Sequence, residues 1–189
     1  MSNMTKRMLA FSLRNLLSKT TLNNITIQDI TDGAEVSRKT FYYHFQDIYD
    51  LMEWTLNDDA QRILKGGVLS MSWKDGLGEL IRSMQEENRM LVLNAYRSLG
   101  PETLGRYIIA IIEPLMNSAI DHFSGSEHLS ESDRKFTIHL YSYGLVGLLL
   151  GWIHNDMQFD EDMSLERIDR FFTTSLPSWI SQCTDHLPK

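Results

Sequence analysis

Cysteine is almost absent from this chain. Cys183 is the only one, so no intramolecular disulfide framework can form, and a thiolate metal site cannot be assembled from a single sulfur. One Cys fits a reducing compartment. Long apolar runs are missing as well. The longest candidate, "YGLVGLLLGWI", falls short of the ~18–20 residues a membrane span needs. It reads as a buried helix. The opening "MSNMTKRMLAFSLRNLL" is amphipathic and lacks the continuous apolar core of a signal peptide. The expected location is therefore the cytoplasm, with no membrane partner. Six histidines show no HExxH-type spacing, and no phosphate-binding glycine loop occurs. No metal and no cofactor are expected. Cys183 and His186 stand three apart without an evident setting for an activated nucleophile. Adjacent acids such as Asp58-Asp59 and Glu86-Glu87 splay apart on helices and read as solvated surface. An enzyme is not indicated.

Positive charge is scarce overall but concentrated. The net charge is −7 over 189 residues. Residues 1–46 carry six Lys/Arg against three Asp/Glu, and the remainder carries twelve against twenty-two. A basic end on an acidic body is a pattern of nucleic-acid binders, although so few charges can also be uneven by chance.

Alternation with period two is rare, and helical spacing recurs instead. Residues 4–19 place Met8, Leu9, Leu13, Leu16 and Leu17 on one stripe. Thr26 caps a short helix, with Asp29 three residues on, close to a capping box. Ser37 caps the next, which runs to about Phe45. Asp47 caps a longer helix ending at Gly66-Gly67. Further helices are expected near 74–99, 101–123, 131–155 and 164–185. Gly100-Pro101 separates the first two, kinks or breaks are expected at Pro114 and Pro177, and "NDMQFDEDMS" is an acidic connector. The expected fold class is all-α. A helix-turn-helix domain spans 1–48, and a helical bundle for ligand binding and dimerisation spans 49–189.

The stretch "SRKTFYYHF", residues 37–45, carries the chemistry. At 100° per residue, Phe41 and Phe45 share one face with Ile48, while Lys39 and Tyr43 point away, flanked by Thr40 and Tyr42. Such a helix can sit on a small core through its phenylalanines. Its cation, phenol and hydroxyl groups then suit a DNA major groove. The preceding short helix and turn complete a helix-turn-helix arrangement. A rival reading is a protein-interaction module whose cationic helix docks on an acidic protein.

The run "ITIQDITDGAEVSRKTFYYHFQDIYDLM" resembles the DNA-binding domain of the TetR/AcrR family of regulators, over about residues 5–52. The resemblance implies a phosphate contact at Thr26. It implies groove contacts at Arg38, Lys39, Thr40, Tyr42, Tyr43 and His44 on double-stranded DNA. It also implies an all-α homodimer, usually a repressor, released from a palindromic operator by a small-molecule effector. Control by a protein coregulator, with activation in place of repression, is the alternative. Two positions depart from the family pattern. Glu35 stands where Gly is frequent, at a cost of about 1 kcal/mol if the backbone there is left-handed. Ile48 stands where Lys is favoured just after the helix cap. More weakly, "YSYGLVGLLLGWIHNDM" with "FQDIYDLMEW" looks similar to the subgroup that includes regulators of dihydroxyacetone-kinase operons.

Two further groups are expectations. Met84, Arg89, Tyr96, Tyr107, His139 and Tyr143 could line an effector pocket, with Arg89 or Arg97 for an anion, or could be ordinary core. Gly144, Gly147 and Gly151 permit close helix approach. By the resemblance, the last two helices would pair across a two-fold axis through Leu145, Leu148, Leu149, Trp152, Phe171, Phe172, Leu176 and Trp179. The competing reading of those eight is an intramolecular core.

Overall fold

Side-chain caps start most of the helices in the computed structural model, which describes residues 2–158 and 164–184. Helix α1 is Ser2–Leu17, α2 Ile27–Gly33, α3 Arg38–His44 and α4 Ile48–Lys65. Thr26 opens α2 with a full capping box. Ser37 opens α3 by accepting from the Thr40 amide, and Asp47 opens α4 by accepting from the Asp50 amide. These three caps lie where the sequence puts them. Helix α5 is Trp73–Arg82, α6 Arg89–Ile120, α7 Glu131–His154 and α8 Leu165–Thr184. Ser72 and Ser130 cap α5 and α7 in the same way. The described residues contain helices and turns and no strand.

The helix expected over 74–99 is interrupted. Ser83–Glu87 forms a π turn, and Asn88 donates its side-chain amide to the Ser83 carbonyl at 3.0 Å before α6 begins. The expected separation at Gly100 is real. Gly100 sits at φ 76°, ψ 169°, so α6 is two helical segments meeting there. Pro114 and Pro177 do not end their helices, since α6 and α8 run on through them. His186 and residues 159–163 of the acidic connector lie outside the described residues.

Two apolar cores result. The head core gathers Leu9, Leu13 and Leu17 of α1 with Ile30, Phe41, Phe45, Leu51 and Met52. Met8 and Leu16, expected on the same stripe, are turned outward and half-buried respectively. The body core gathers Leu77, Ile112, Leu115, Leu149, Trp152, Phe172 and Leu176. Helix α4 belongs to both, because Leu51 and Met52 lie in the head and Ala60 in the body. Helix α6 backs the head as well. Ala95 enters the head core, Asn94 Nδ2 donates to the Leu17 carbonyl at 2.7 Å, and Ser98 Oγ accepts from the Leu22 amide at 2.9 Å. Among the described helices α7 is the one long and apolar enough by composition to cross a membrane. Here its inner side packs into the body core through Leu145, Val146, Leu149, Trp152 and Ile153.

Candidate nucleic-acid interface

Helix α3 is only seven residues long, and an isolated helix of that length would not persist in water. Tertiary anchoring replaces propensity. Phe41 is 0% and Phe45 3% exposed, with ring centroids 6.0 Å apart. Lys6 of α1 places its ammonium 5.2 Å from the Phe45 ring and 5.8 Å from that of Trp54, a cation–π clamp on the base of the helix. With the phenylalanines fixed inward, the other side chains are aimed. Arg38 and Lys39 are exposed, Tyr42 is 54% and Tyr43 82% exposed. Thr40 and His44 are half-buried at the margins, with the His44 ring edge-on to Tyr43 at 4.9 Å. The structure thus exposes Arg38, Lys39, Tyr42 and Tyr43, and leaves Thr40 and His44 only partly accessible.

Thr26 stands apart. Its amide and its hydroxyl both donate to Asp29 Oδ2, at 2.9 and 2.6 Å, and the hydroxyl accepts from the Asp29 amide. The Thr26 side-chain bond, and then its backbone bond, hold the Asp29 carboxyl below its usual range. In this conformation Thr26 is committed to starting α2.

One exposed residue beside α3 is not among the candidates drawn from the sequence. Tyr49, the second residue of α4, is 54% exposed, and its hydroxyl lies 3.5 Å from Asn23 Oδ1. The signal that marks it is its place two residues after the Asp47 cap, about 100° around the helix from the half-buried Ile48. Glu35, in the turn before α3, has φ 54° and so takes the left-handed conformation for which the family often uses glycine.

Of the six residues expected around an effector, two line a common cavity. Met84 and Tyr107 border a space of about 440 Å³ between α1, α4, the π turn and α6. Burial and the nearby Glu53 carboxylate push the Tyr107 phenol up from its usual value. The other four lie elsewhere. Arg89 donates to the Asp156 carbonyl at 2.8 Å, and Tyr96 meets His154 Nδ1 at 3.2 Å. His139 stands 3.8 Å from Glu113, and Tyr143 is 64% exposed.

The residues expected at a two-fold axis divide. Leu145, Leu149, Trp152, Phe172 and Leu176 are buried in this chain's own core and have almost no surface left for a second chain. Trp179 is half-buried and donates its indole N–H to Thr137 Oγ1 at 2.8 Å. Leu148 and Phe171 do face out. They join Phe136, Leu140 and Tyr143 in an exposed apolar strip on α7 and α8. A Cβ added at Gly144, Gly147 or Gly151 would meet nothing within 4 Å. The apolar outer side of α7 is therefore open.

Comparison with known proteins points one way. Residues 13–53 match the family model for bacterial regulatory proteins of the tetR family. Residues 71–174 match the model for a transcriptional regulator C-terminal region. Over 85 residues the chain is 26% identical to the HTH-type dhaKLM operon transcriptional activator DhaS of Lactococcus lactis subsp. lactis (strain IL1403). That stretch covers 45% of this chain and 46% of the relative, so the match spans less than half of the relative's length. A solved structure of a dihydroxyacetone kinase operon activator, DhaS, shares the fold. The TM-score is 0.67 at 18% identity, covering 95% of this chain and 97% of the other.

Proposed function

The chain belongs to the TetR family of bacterial regulatory proteins, and from that premise we propose that it is a cytoplasmic, homodimeric DNA-binding regulator that reads a palindromic site with α3. The observation that carries this reading is directional. Phe41 and Phe45 are sealed in the head while Lys39 and Tyr43 on the same two turns face solvent. A generic basic patch would not sort its side chains this way. In the groove, Arg38 and Lys39 are suited to phosphates or guanine edges, and Thr40, Tyr42 and Tyr43 to phosphates or thymine methyls. Two heads one helical turn apart, about 34 Å, are needed for a palindrome. The open apolar strip of α7 and α8 supports pairing of two copies, and the cavity bordered by Met84 and Tyr107 supports control by a small molecule.

The test is a gel shift on DNA selected from random sequence. Lys39→Ala and Tyr43→Ala should each cost about 1–3 kcal/mol of affinity, roughly 5- to 150-fold, with the protein still folded. Retention at wild-type strength by both variants would remove α3 from the groove. Binding should also weaken steeply with salt through counterion release.

For the sign of regulation, the names of both similar proteins favour activation over the repression usual in the family, with a dihydroxyacetone-kinase operon as the target. Control by a protein coregulator goes with that second reading. Transcription in vitro from a promoter carrying the selected site decides it: added protein raises transcript for an activator and lowers it for a repressor.

A further inference from the structure

We infer that the cavity at the seam of head and body receives a small amphipathic anion, whose apolar body fills the cavity and whose carboxylate-like head takes the place of Asp59 on Arg14 and Arg62. Its regulatory consequence rests on the function proposed above; the binding itself does not.

The volume, about 440 Å³, lies within the roughly 300–1,000 Å³ of sites that enclose small molecules. Leu56 and Ile63 of α4, Leu80 of α5, Met84 of the π turn, and Leu104 and Ile108 of α6 make the walls apolar. The π turn shapes that wall, because five residues between α5 and α6 carry the chain around the cavity instead of continuing one straight helix. Turns of this kind recur at functional sites. A neutral apolar cavity would need nothing more. This one has a charged end. Arg14 of α1 and Arg62 of α4 both donate to Asp59, with Arg14 Nε at 3.0 Å from Oδ2. Two guanidiniums therefore share one lining carboxylate. Asp58 takes Arg62 Nε at 3.1 Å and lines the outer hollow instead. With Arg7 3.7 Å from Asp58, three guanidiniums face two carboxylates. An anionic head group therefore meets a net charge of one positive unit beside Arg14 and Asp59, which are partly desolvated, so that charge-assisted bonds strengthen there. An ammonium head would be repelled.

The position of the bridge supplies the consequence. Helix α1 carries Leu9 and Leu13 into the head core beside Phe41, while its Phe11 and Arg14 border the cavity. On the other side of the same bridge lies a second hollow of about 450 Å³, which reaches the Gly33–Glu35 turn ahead of α3. The Arg14–Asp59 pair thus partitions the cavity from the DNA-reading unit. A ligand carboxylate on Arg14 loosens the tie between α1 and α4 at the point where it bears on that unit.

The experiment titrates the full chain by calorimetry with octanoate, 1-octanol and octylammonium. Octanoate should bind about tenfold tighter than octanol, the worth of one charge-assisted bond, and octylammonium should not bind. Asp59→Asn removes the competing carboxylate and should tighten octanoate severalfold. Arg62→Gln, at a half-exposed side chain, should weaken octanoate and leave octanol unchanged; it serves if the Asn variant does not fold. Ile108→Trp should abolish binding by filling the cavity. Equal affinity for octanoate and octanol overturns the assignment of the head group, and undiminished binding by Ile108→Trp overturns the site. In a parallel gel shift, octanoate should weaken the DNA retention of the wild type. A wild type that retains no DNA defeats the regulator reading, while the calorimetry still decides this one.

Discussion

Glu35 is held at φ 54° in the turn that delivers α3, and its side chain is exposed. A β-carbon in the left-handed region costs about 1–2 kcal/mol, against roughly 0.4–1 kcal/mol for the extra unfolded-state freedom of glycine. Glu35→Gly should therefore stabilise the protein by a little under 1 kcal/mol, a rise of about 2–4 °C in thermal midpoint per kcal/mol for a chain of this size. Differential scanning calorimetry measures it, and an unchanged or lower midpoint would show that the turn carries no strain. Asp29 gives a prediction of the opposite character. Its carboxyl lies below the ordinary value of 3.8 because the charged form accepts from Thr26. A depressed carboxylate contributes its stability above the ordinary value and loses it as pH falls through the lower, folded one. The Thr26 amide proton should shift in that acid window by NMR, and Asp29→Asn should remove the titration. Local chemistry of this kind is legible in the sequence. Ser37, Thr26 and Asp47 announce helix starts by residue type alone, because the cap bond spans only three residues.

At the scale of elements, α6 separates what local sequence encodes from what packing decides. Gly100 marks a junction, and its φ 76°, ψ 169° is a region essentially reserved for glycine. Gly100→Ala should cost about 1–3 kcal/mol, visible as a lowered urea midpoint with an unchanged slope, even though its Cβ would meet nothing within 4 Å. The strain is in the backbone, so open space does not relieve it. The π turn at Ser83–Glu87 carries no such marker. "SMQEE" contains neither Gly nor Pro, and the Asn88 amide that bonds back to the Ser83 carbonyl across it is not announced by the spacing. Helix α7 is opaque for a different reason. It is apolar nearly all round, so periodicity cannot tell its inner side from its outer one. Leu149 and Trp152 turn into the body core with Phe172 and Leu176 of α8, and the smaller Gly144, Gly147 and Gly151 are left outside. The scatter of the expected effector residues has the same cause. Nothing in the spacing of Arg89, Tyr96, His139 and Tyr143 reveals that each is taken up by a different neighbour or by solvent.

At the scale of the whole molecule, the outer side of α7 permits a test in which two effects have opposite signs. Phe136, Leu140, Tyr143, Gly144, Gly147 and Gly151 follow one another at spacings of four, three, one, three and four residues, a single stripe on a helix. Phe171 of α8 stands beside it, 68% exposed, across a hollow of about 530 Å³ bordered by Leu140, Gly144 and Leu148. Within one chain, Gly147→Leu places its side chain in open space and replaces a poor helix former, so the folded chain should gain about 0.5–1 kcal/mol. If a second copy packs on this stripe, the same leucine lands where two helices approach closely, and over-packing there costs about 1–3 kcal/mol, roughly 5- to 150-fold in the dimer constant. Sedimentation should show dissociation shifting to higher protein concentration, while the melting midpoint of the dilute monomer rises. DNA retention should fall with the dimer, since a palindromic site needs two heads held at fixed spacing. A variant that melts higher and sediments as the wild type would mean that the stripe faces solvent, and the pairing surface would have to be sought elsewhere on the molecule.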